Sequence, residues 1–413
     1  MVKKEELEKE LFVGIDIGSS KICVVIASEY QNQLSIIGIG ESISEGISRG
    51  VIMNFEKVLN SLKVAISKAE EMSGVKIHSA SVGITGEHIQ SLLSRGVIAI
   101  NNTQNQITKN DVNRLIRDTR KVALPNDREI IHVFPQHYVI DGQSGFTDPI
   151  GMNGIRLEAT VYIVTGVSSV LQNIRRCVES CGIRVQEIVI QSLASSYSTL
   201  IEEEQELGVC VVDIGSGTTD VIIFEDKVIR HIASIPYAGY HITQDIKKGI
   251  GILNEQAEEI KCKYGSAFLP NVLSDEIITI PGIAGRSPVE ISKTNLSRII
   301  QARMEEIFEL VFEEIRRSGY YRQLSAGIVF TGGTAMLNGT KDIAHSILDM
   351  PIKIGIPTGF SLGLVKEIEY PKYATCCGLV ISAFHRQKKK LSEVEQIEER
   401  PFFSKILNWF KQI

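Results

Sequence analysis

The sequence predicts an α/β protein of two related halves, with a strand-rich α/β unit inserted in the first and an amphipathic helix at the C-terminal end. Three observations lead there. Residues 11–27 read as strand, glycine turn, strand, and residues 209–224 repeat that pattern as VCVVDIGSGTTDVIIF. Between the copies, residues 80–165 carry strands of their own. Residues 402–413 place bulky apolar side chains at helical spacing.

In the first half, LFVGIDIG and SSKICVVIA flank the turn, and LSIIGIGES adds a third alternating strand. Asn54 can cap a helix running to about Met72, with Val58, Leu62, Ala65 and Ala69 along one side and Gly74 ending it. The inserted stretch offers strands in SVGITGEHIQ, RGVIAIN, IIHVFPQHYVID and RLEATVYIVTG. It holds one helix, where Thr108 and Asp111 resemble a capping box. A helix over 168–181, the strand VQEIVI and a helix over 192–203 complete the first half. After the second strand–turn–strand come a helical stretch over 242–263, a Pro/Gly-marked region to Gly285 and a long helix from about 295 to 317. The strand AGIVF runs into TGGTAMLNG, and a last helix spans about 374–385. Residues 386–401 are charged and poor in apolar side chains, which predicts a flexible linker. The repeat distance is too long for a solenoid and points to two related domains.

A chain of 413 residues, 43% hydrophobic, can bury large cores and exceeds one compact domain. Its net charge of −5 gives no electrostatic support for a nucleic-acid partner. The seven cysteines include no CxxC pair, so reduced thiols are expected rather than a disulfide or zinc framework, and Cys177 and Cys181 are expected to be packing residues. The charged N-terminus does not resemble a secretory signal. No stretch approaches the roughly 20 apolar residues that span a bilayer, so any membrane contact is expected to be peripheral. His132 and His137 read as strand-edge residues rather than metal ligands.

The chemistry is concentrated in three glycine turns. The first is Asp16-Ile17-Gly18-Ser19-Ser20-Lys21, the second Asp213-Ile214-Gly215-Ser216-Gly217-Thr218-Thr219-Asp220, and the third Thr331-Gly332-Gly333-Thr334. A turn rich in Gly and Ser exposes successive backbone N–H groups without Cβ obstruction, a cradle for phosphate oxygens. Ser19, Ser20, Thr218 and Thr219 add hydroxyl donors. Asp16 and Asp213 would repel bare phosphate; their sensible role is to hold hydrated Mg²⁺ that bridges phosphates. No Walker sequence GxxxxGK[ST] is present.

With these turns the chain resembles the actin, heat-shock chaperone and sugar-kinase superfamily, in which two related domains clamp ATP. The resemblance implies an actin-like two-domain ATPase fold, with Asp16 to Ser20 as the first phosphate loop, Lys21 binding the nucleotide beside it, and Asp213 to Thr219 as the second loop. It implies Gly332 and Gly333, with Met336 after them, as the adenosine loop. By motif position, Gln191 in VIQSLAS matches the residue that orients the attacking water, so Gln191 and Asp213 are the expected catalytic pair. Gly239 in YAGYHITQDI matches the glycine after the second phosphate strands, and Lys261 in EEIKCKYG a helix residue beside the adenosine. Ser192 stands where relatives commonly carry proline. Hydrolysis is therefore expected to be slow at most.

Within the superfamily, VGITGEHIQS, ITKNDVNR, REIIHVFPQHYVIDG and DPIGMNGIRLEATVYIV look like the subdomain inserted in the FtsA family of bacterial cell division. The resemblance covers about residues 10–385. It implies a first nucleotide-binding domain over 10–83, 161–205 and 370–385, an insertion over 84–160 and a second domain over 206–369 with a smaller subdomain at about 227–300. A linker over 386–401 and a membrane helix over 402–413 complete the chain. The resemblance further implies a filament-forming, ATP-binding protein that tethers FtsZ filaments to the cytoplasmic face of the membrane at the septum and recruits later divisome proteins. Filament contacts are expected to involve the insertion. A pilus-assembly relative or a metabolic kinase of the superfamily is the alternative, and a chaperone would need a substrate domain after the nucleotide domain.

Two surfaces carry the partner expectations. In the tail, Phe402, Phe403, Ile406, Leu407, Trp409 and Phe410 share one side, with Ser404, Lys405, Asn408, Lys411 and Gln412 on the other. That suits a membrane interface, or alternatively docking on the protein's own core. Arg286, Arg298 and Arg303, with Lys293, surround Ile299 at the start of the long helix, a surface expected to take the acidic–apolar C-terminal peptide of FtsZ.

Overall fold

Two sheets with one strand order organise the molecule, which is described by a computed structural model over residues 10–282, 285 and 287–398. In the first sheet Leu11–Ile17, Lys21–Tyr30 and Gln33–Ile43 form an antiparallel meander. Ser79–Ile84 and Arg184–Ile190 then add in parallel on the side of the first strand. The second sheet repeats this with the meander Val209–Ile214, Thr219–Glu225 and Val228–Ile235, and the parallel strands Ile328–Thr331 and Ile352–Ile354. The pattern of buried side chains explains the long apolar runs. Val209–Ile214 is buried at every position, because helices cover both faces of the sheet.

The insertion forms its own four-stranded sheet, in the order Gln90–Ala99, Arg156–Val167, Arg128–Ile140, Gln143–Phe146. The helix Lys109–Thr119 packs on it through Leu115, with Ile98, Ile107, Tyr138, Leu157 and Ile163 in a separate core. The expected capping box is present: Thr108 Oγ1 accepts from the Asp111 N–H at 3.3 Å, and Asp111 Oδ2 accepts from the Thr108 N–H at 3.0 Å. Asn54 and Gly74 likewise bound the helix Phe55–Ser73.

Several expectations need correcting. Residues 360–363, assigned to the second half, form the strand Phe360–Gly363 and pair with Gln33–Ile43 at the edge of the first sheet. The strand Arg156–Val167 runs through the expected boundary at 160 without a break, so the insertion's sheet extends to Val167. Val228–Ile235 belongs to the main second sheet rather than to a smaller subdomain. The stretch 192–203 is two helices, Gln191–Thr199 and Glu202–Leu207, with Glu204 accepting from the Ile201 N–H at 3.1 Å to start the second. The stretch 242–263 is also two, Gly239–Ile250 and Asn254–Tyr264, because Gly251 takes the left-handed φ of +77° and ends the first. Residues 386–398, expected to be linker, continue the helix Ala374–Glu398. The stretch lacks Gly and Pro until Pro401 and is rich in Lys, Glu and Gln, all strong helix formers. His132 is half buried, and its Nε2 accepts from the Ile190 N–H at 3.3 Å, with burial holding its pKa down at about 4.

The C-terminal helix Ala374–Glu398 lies against the strand Leu11–Ile17 and crosses the helix Gln191–Thr199 at backbone contact. A Cβ on Gly378 would lie 1.7 Å from the Ala194 carbonyl oxygen, and one on Gly14 would lie 2.4 Å from that of Cys376. Gly378→Ala must push the two helices apart where the fold is tightest. A loss of at least about 1–3 kcal/mol is expected, the usual cost of overpacking, read as a lowered denaturation midpoint against wild type.

Candidate functional site

The two glycine turns have the same internal hydrogen bond. The Gly18 N–H donates to the Lys21 carbonyl at 3.1 Å, and the Gly215 N–H donates to the Thr218 carbonyl at 3.0 Å. Each closes a four-residue reversal between antiparallel strands and leaves the intervening N–H groups out of the ladder. The turns face one another across a cleft of about 390 Å³. They are close: a Cβ on Gly217 would lie 2.5 Å from Ser19 Oγ and 3.2 Å from Arg49 Cα.

The cleft brings together most of the expected residues. Asp16, Gly18, Ser19, Ser20 and Lys21 line it from the first half, and Asp213, Gly215, Ser216, Gly217 and Thr218 from the second. Gln191, Lys261, Gly332, Gly333 and Met336 complete the expected set. Two residues are placed differently. Thr219 is fully buried and its Oγ1 donates to the Tyr237 carbonyl at 2.7 Å, because side chains alternate along the strand that leaves the turn. Gly239 lies behind the wall, where a Cβ would come 2.2 Å from Thr334 Oγ1 and its N–H donates to the Gly215 carbonyl at 3.1 Å. It supports the second turn from behind.

The floor of the cleft is acidic. Gln191 donates from Nε2 to Asp16 Oδ1 at 2.7 Å. Asp213 Oδ2 accepts from the Ser195 hydroxyl and, at 3.0 Å, from Thr375 Oγ1. Asp220 accepts from Thr85 Oγ1 at 2.6 Å and from Thr218 Oγ1 at 3.1 Å. Burial pushes the Asp16 carboxyl up to about 7; Lys21 opposes the rise, while Asp213 and Asp220 add to it. Burial raises Asp213 too, against the hydroxyls of Ser195 and Thr375, and lifts Asp220 to about 6 against its hydroxyl donors. Among the described residues no group of three or more His, Cys, Asp or Glu is arranged to hold a metal. Two carboxylates alone suit a cation that keeps water and phosphate as its other ligands, the habit of Mg²⁺. Asp16 and Asp213 fit that role, since a cation between them would relieve the cost that raises their pKa values.

The cleft also holds a buried lysine paired with a glutamate. Lys261 is buried, with its Nζ 2.7 Å from Glu258 Oε2, 3.0 Å from Thr243 Oγ1 and 3.2 Å from the Gly239 carbonyl. Glu258, Cys262, Met336 and Leu337 line the cleft alongside Lys261. Gly332 takes φ +89°, and a Cβ there would lie 2.3 Å from Asp213 Oδ1, so this turn can pass the aspartate only as glycine. Thr85, Ser195, Asp220, Glu258, Lys372 and Thr375 were not singled out from sequence. Only Asp220 had a local signal, at the end of the second turn; Thr85, Glu258, Lys372 and Thr375 reach the cleft from distant elements, and Ser195 bonds Asp213.

The partner and tail residues stand apart from the cleft. Arg298 is exposed at the start of the helix Lys293–Ser318, and Ile299 is half buried beside it. Arg303 is already engaged, with Nε 2.5 Å and Nη2 3.1 Å from the Asp245 carboxylate and Nη1 on Glu306. It is therefore not a free cation for a peptide. Arg286, and Phe402, Phe403, Ile406, Leu407, Trp409 and Phe410 in the tail, lie outside the described residues.

Two sheets of one topology, each ending in the same glycine turn on a shared polar cleft, define an actin-like fold. Solved structures agree. The type IV pilus PilM–PilN complex superposes with a TM-score of 0.64 at 13% identity, covering 90% of this chain and 98% of that one. MreB5 of Spiroplasma citri bound to ADP gives 0.55 at 17% identity over 93% and 98%. Residues 210–378 match the family "Cell division protein FtsA", and residues 86–165 match the "SHS2 domain inserted in FTSA". The cell division protein FtsA of Pseudomonas aeruginosa is 41% identical over 93% of this chain and 91% of its own length, and that of Borreliella burgdorferi 41% over 98% and 99%. The Escherichia coli FtsA is 33% identical over 98% and 97%. This chain belongs to the FtsA family of cell division proteins.

The raised carboxyl of Asp16 makes a pH prediction. Its folded pKa of about 7 lies above the ordinary aspartate value of 3.8, so between these values the native state holds a proton that the unfolded chain has lost. The contribution to stability therefore declines as pH rises through that window and is least above it. In Asp16→Asn the amide oxygen can still accept from Gln191 while the ionisation cost disappears. Without nucleotide, the variant's melting temperature should gain on wild type as pH goes from 5 to 8. Parallel pH profiles would refute a buried, ionising Asp16.

Proposed function

We propose that this chain binds ATP with Mg²⁺ in the cleft, assembles into filaments and tethers FtsZ to the cytoplasmic face of the membrane at the division septum, where it recruits later divisome proteins. The observation that carries the nucleotide reading is the pairing of the two turns, with Gly217 set against Ser19. N–H groups and hydroxyls from both halves then converge on one polyphosphate, so a single ligand couples the halves. Mg²⁺, when bound, would offset the phosphate charge that Asp16 and Asp213 otherwise repel. Gln191, anchored on Asp16, stands at the phosphate end where a water would be oriented. Lys261, Glu258, Gly332, Gly333 and Met336 frame the end left for adenosine.

The membrane reading rests on the amphipathic sequence of residues 402–413. Burial of seven bulky side chains, the six named from sequence and Ile413, at roughly 1.5–3 kcal/mol each sets an upper limit that ordering and one-sided insertion reduce. The basic residues 388–390 would add about 1 kcal/mol each near anionic lipid if they reach it. For the FtsZ peptide, Arg298 and Ile299 offer the accessible part of the surface, while Arg303 would have to exchange Asp245 for a peptide carboxylate. Such exposed pairing should weaken with salt.

Co-sedimentation tests the whole reading. Wild type with ATP and Mg²⁺ should carry FtsZ down with anionic vesicles. Gly217→Asp fills the space against Ser19 and adds charge, so it should lose ATP binding, and Asp213→Ala should lose the Mg²⁺ dependence of that binding. Trp409→Glu should keep nucleotide binding and leave the vesicles. Full Mg²⁺-sensitive ATP binding by Gly217→Asp would sink the nucleotide site, and unchanged vesicle binding by Trp409→Glu would sink the anchor.

A further inference from the structure

The chain enters the insertion at Thr85 and Gly86, directly after the strand Ser79–Ile84, and Thr85 lines the cleft. Its Oγ1 lies 2.6 Å from both carboxylate oxygens of Asp220 and 3.1 Å from Thr218 Oγ1. Thr218 and Asp220 belong to the second half, so this hydroxyl is a bond between halves. Two hydroxyls here share one carboxylate, and each has a single hydrogen to give. A phosphate oxygen that takes the Thr218 hydrogen leaves Thr85 as Asp220's remaining donor within this trio.

The backbone around Thr85 is tightly wedged. A Cβ on Gly50 would lie 2.0 Å from the Thr85 carbonyl oxygen, and one on Gly86, at φ +131°, would lie 2.8 Å from the Arg49 carbonyl oxygen. The Arg49–Gly50 tip thus sits between the second turn and the entry to the insertion. Arg128 closes the junction, donating to the His88 carbonyl at 2.7 Å and to Thr165 Oγ1 at 3.0 Å, which ties the entering and returning strands together. Farther out, the insertion grips the second half again. The Ile232 N–H donates to Tyr162 Oη at 3.0 Å, Tyr162 donates to Ser91 Oγ at 2.6 Å, and Gln136 Nε2 donates to the Ile229 carbonyl at 2.9 Å. Ile229 and Ile232 lie on the edge strand Val228–Ile235, whose neighbour in the sheet carries Asp220.

We infer that Thr85 is a positioning residue through which occupancy of the second glycine turn is transmitted to the insertion, with Tyr162 and Gln136 as the far attachment of the same strap. The strap holds the strand pair Thr219–Glu225 and Val228–Ile235 at both ends, near the phosphates and away from them. Nucleotide that tightens the second turn therefore reorients the insertion with it. This rests on the proposed ATP site.

Hydrogen exchange on the full chain, with and without saturating Mg-ATP, is the test. In wild type, ATP should slow exchange several-fold at both glycine turns and also within 86–99 and 156–167. Thr85→Val keeps the shape and removes the hydroxyl: at saturating ATP the turns should still be protected while the insertion no longer responds. Thr85→Ser should restore the response, which a purely steric role would not predict. Where Thr85→Val does not fold, Tyr162→Phe carries the test, losing the response over 156–167 and keeping it at the turns. An undiminished insertion response in Thr85→Val, or in Tyr162→Phe where it stands in, overturns the inference. Absence of protection at the turns in wild type overturns the ATP site itself and this proposal with it.

Discussion

Asp213 is held where it is by donors that come from far along the chain. Ser195 sits on the helix Gln191–Thr199 and Thr375 at the head of the C-terminal helix, and both hydroxyls reach the same carboxylate oxygen. A buried carboxylate without such donors would be costly, and one with Asp16 and Asp220 near it is costlier still. The close crossing of those two helices at Gly378 and Ala194 keeps the donors in place. The remaining architecture is arranged around that seam. The two sheets bring their first strands to it, the glycine turns open above it, and Gly332 passes Asp213 where any side chain would collide. The cleft is thus polar because its floor is charged, and its floor is held by packing elsewhere.

Much of this was legible in the sequence because it is local. The two strand–turn–strand units, the Asn54 and Thr108 caps and the extra strands of the insertion are each written within a short window, where alternation and turn chemistry act directly. The first-turn residues Asp16, Gly18, Ser19, Ser20 and Lys21 fall on the cleft for the same reason. What escaped is non-local. Thr85 and Thr375 are ordinary threonines until the fold sets one against Asp220 and the other against Asp213. Thr219 was misplaced by one residue of strand alternation, which turns its hydroxyl toward Tyr237. Arg303 looked free because its partner Asp245 lies on another helix. Phe360–Gly363 could not be assigned to the first sheet from sequence spacing, since a single edge pairing decides it.

The insertion is held to the rest of the molecule more tightly than a decoration would be. It has its own core around Leu115, Leu157 and Ile163, yet two of its polar side chains, Tyr162 and Gln136, bond the edge of the second sheet. An edge strand with unpaired backbone groups invites association with other chains. Here Val228–Ile235 has part of its outer side occupied by Tyr162 and Gln136, so that edge is partly closed within one molecule.

The unbroken helix Ala374–Glu398 changes what kind of attachment the C-terminus can provide. A coil would let the globule tumble over a surface and set only its height. A helix that carries Asp213's donor Thr375 in its first turn and continues without interruption to Glu398 is a spar. The stretch from His385 to Glu398 alone extends roughly 20 Å at 1.5 Å per residue. Anything fixed at its far end inherits a direction as well as a distance. Neighbouring molecules held on one surface by such spars would share a common tilt and face, and that alignment lowers the orientational entropy lost when they meet side by side or end to end.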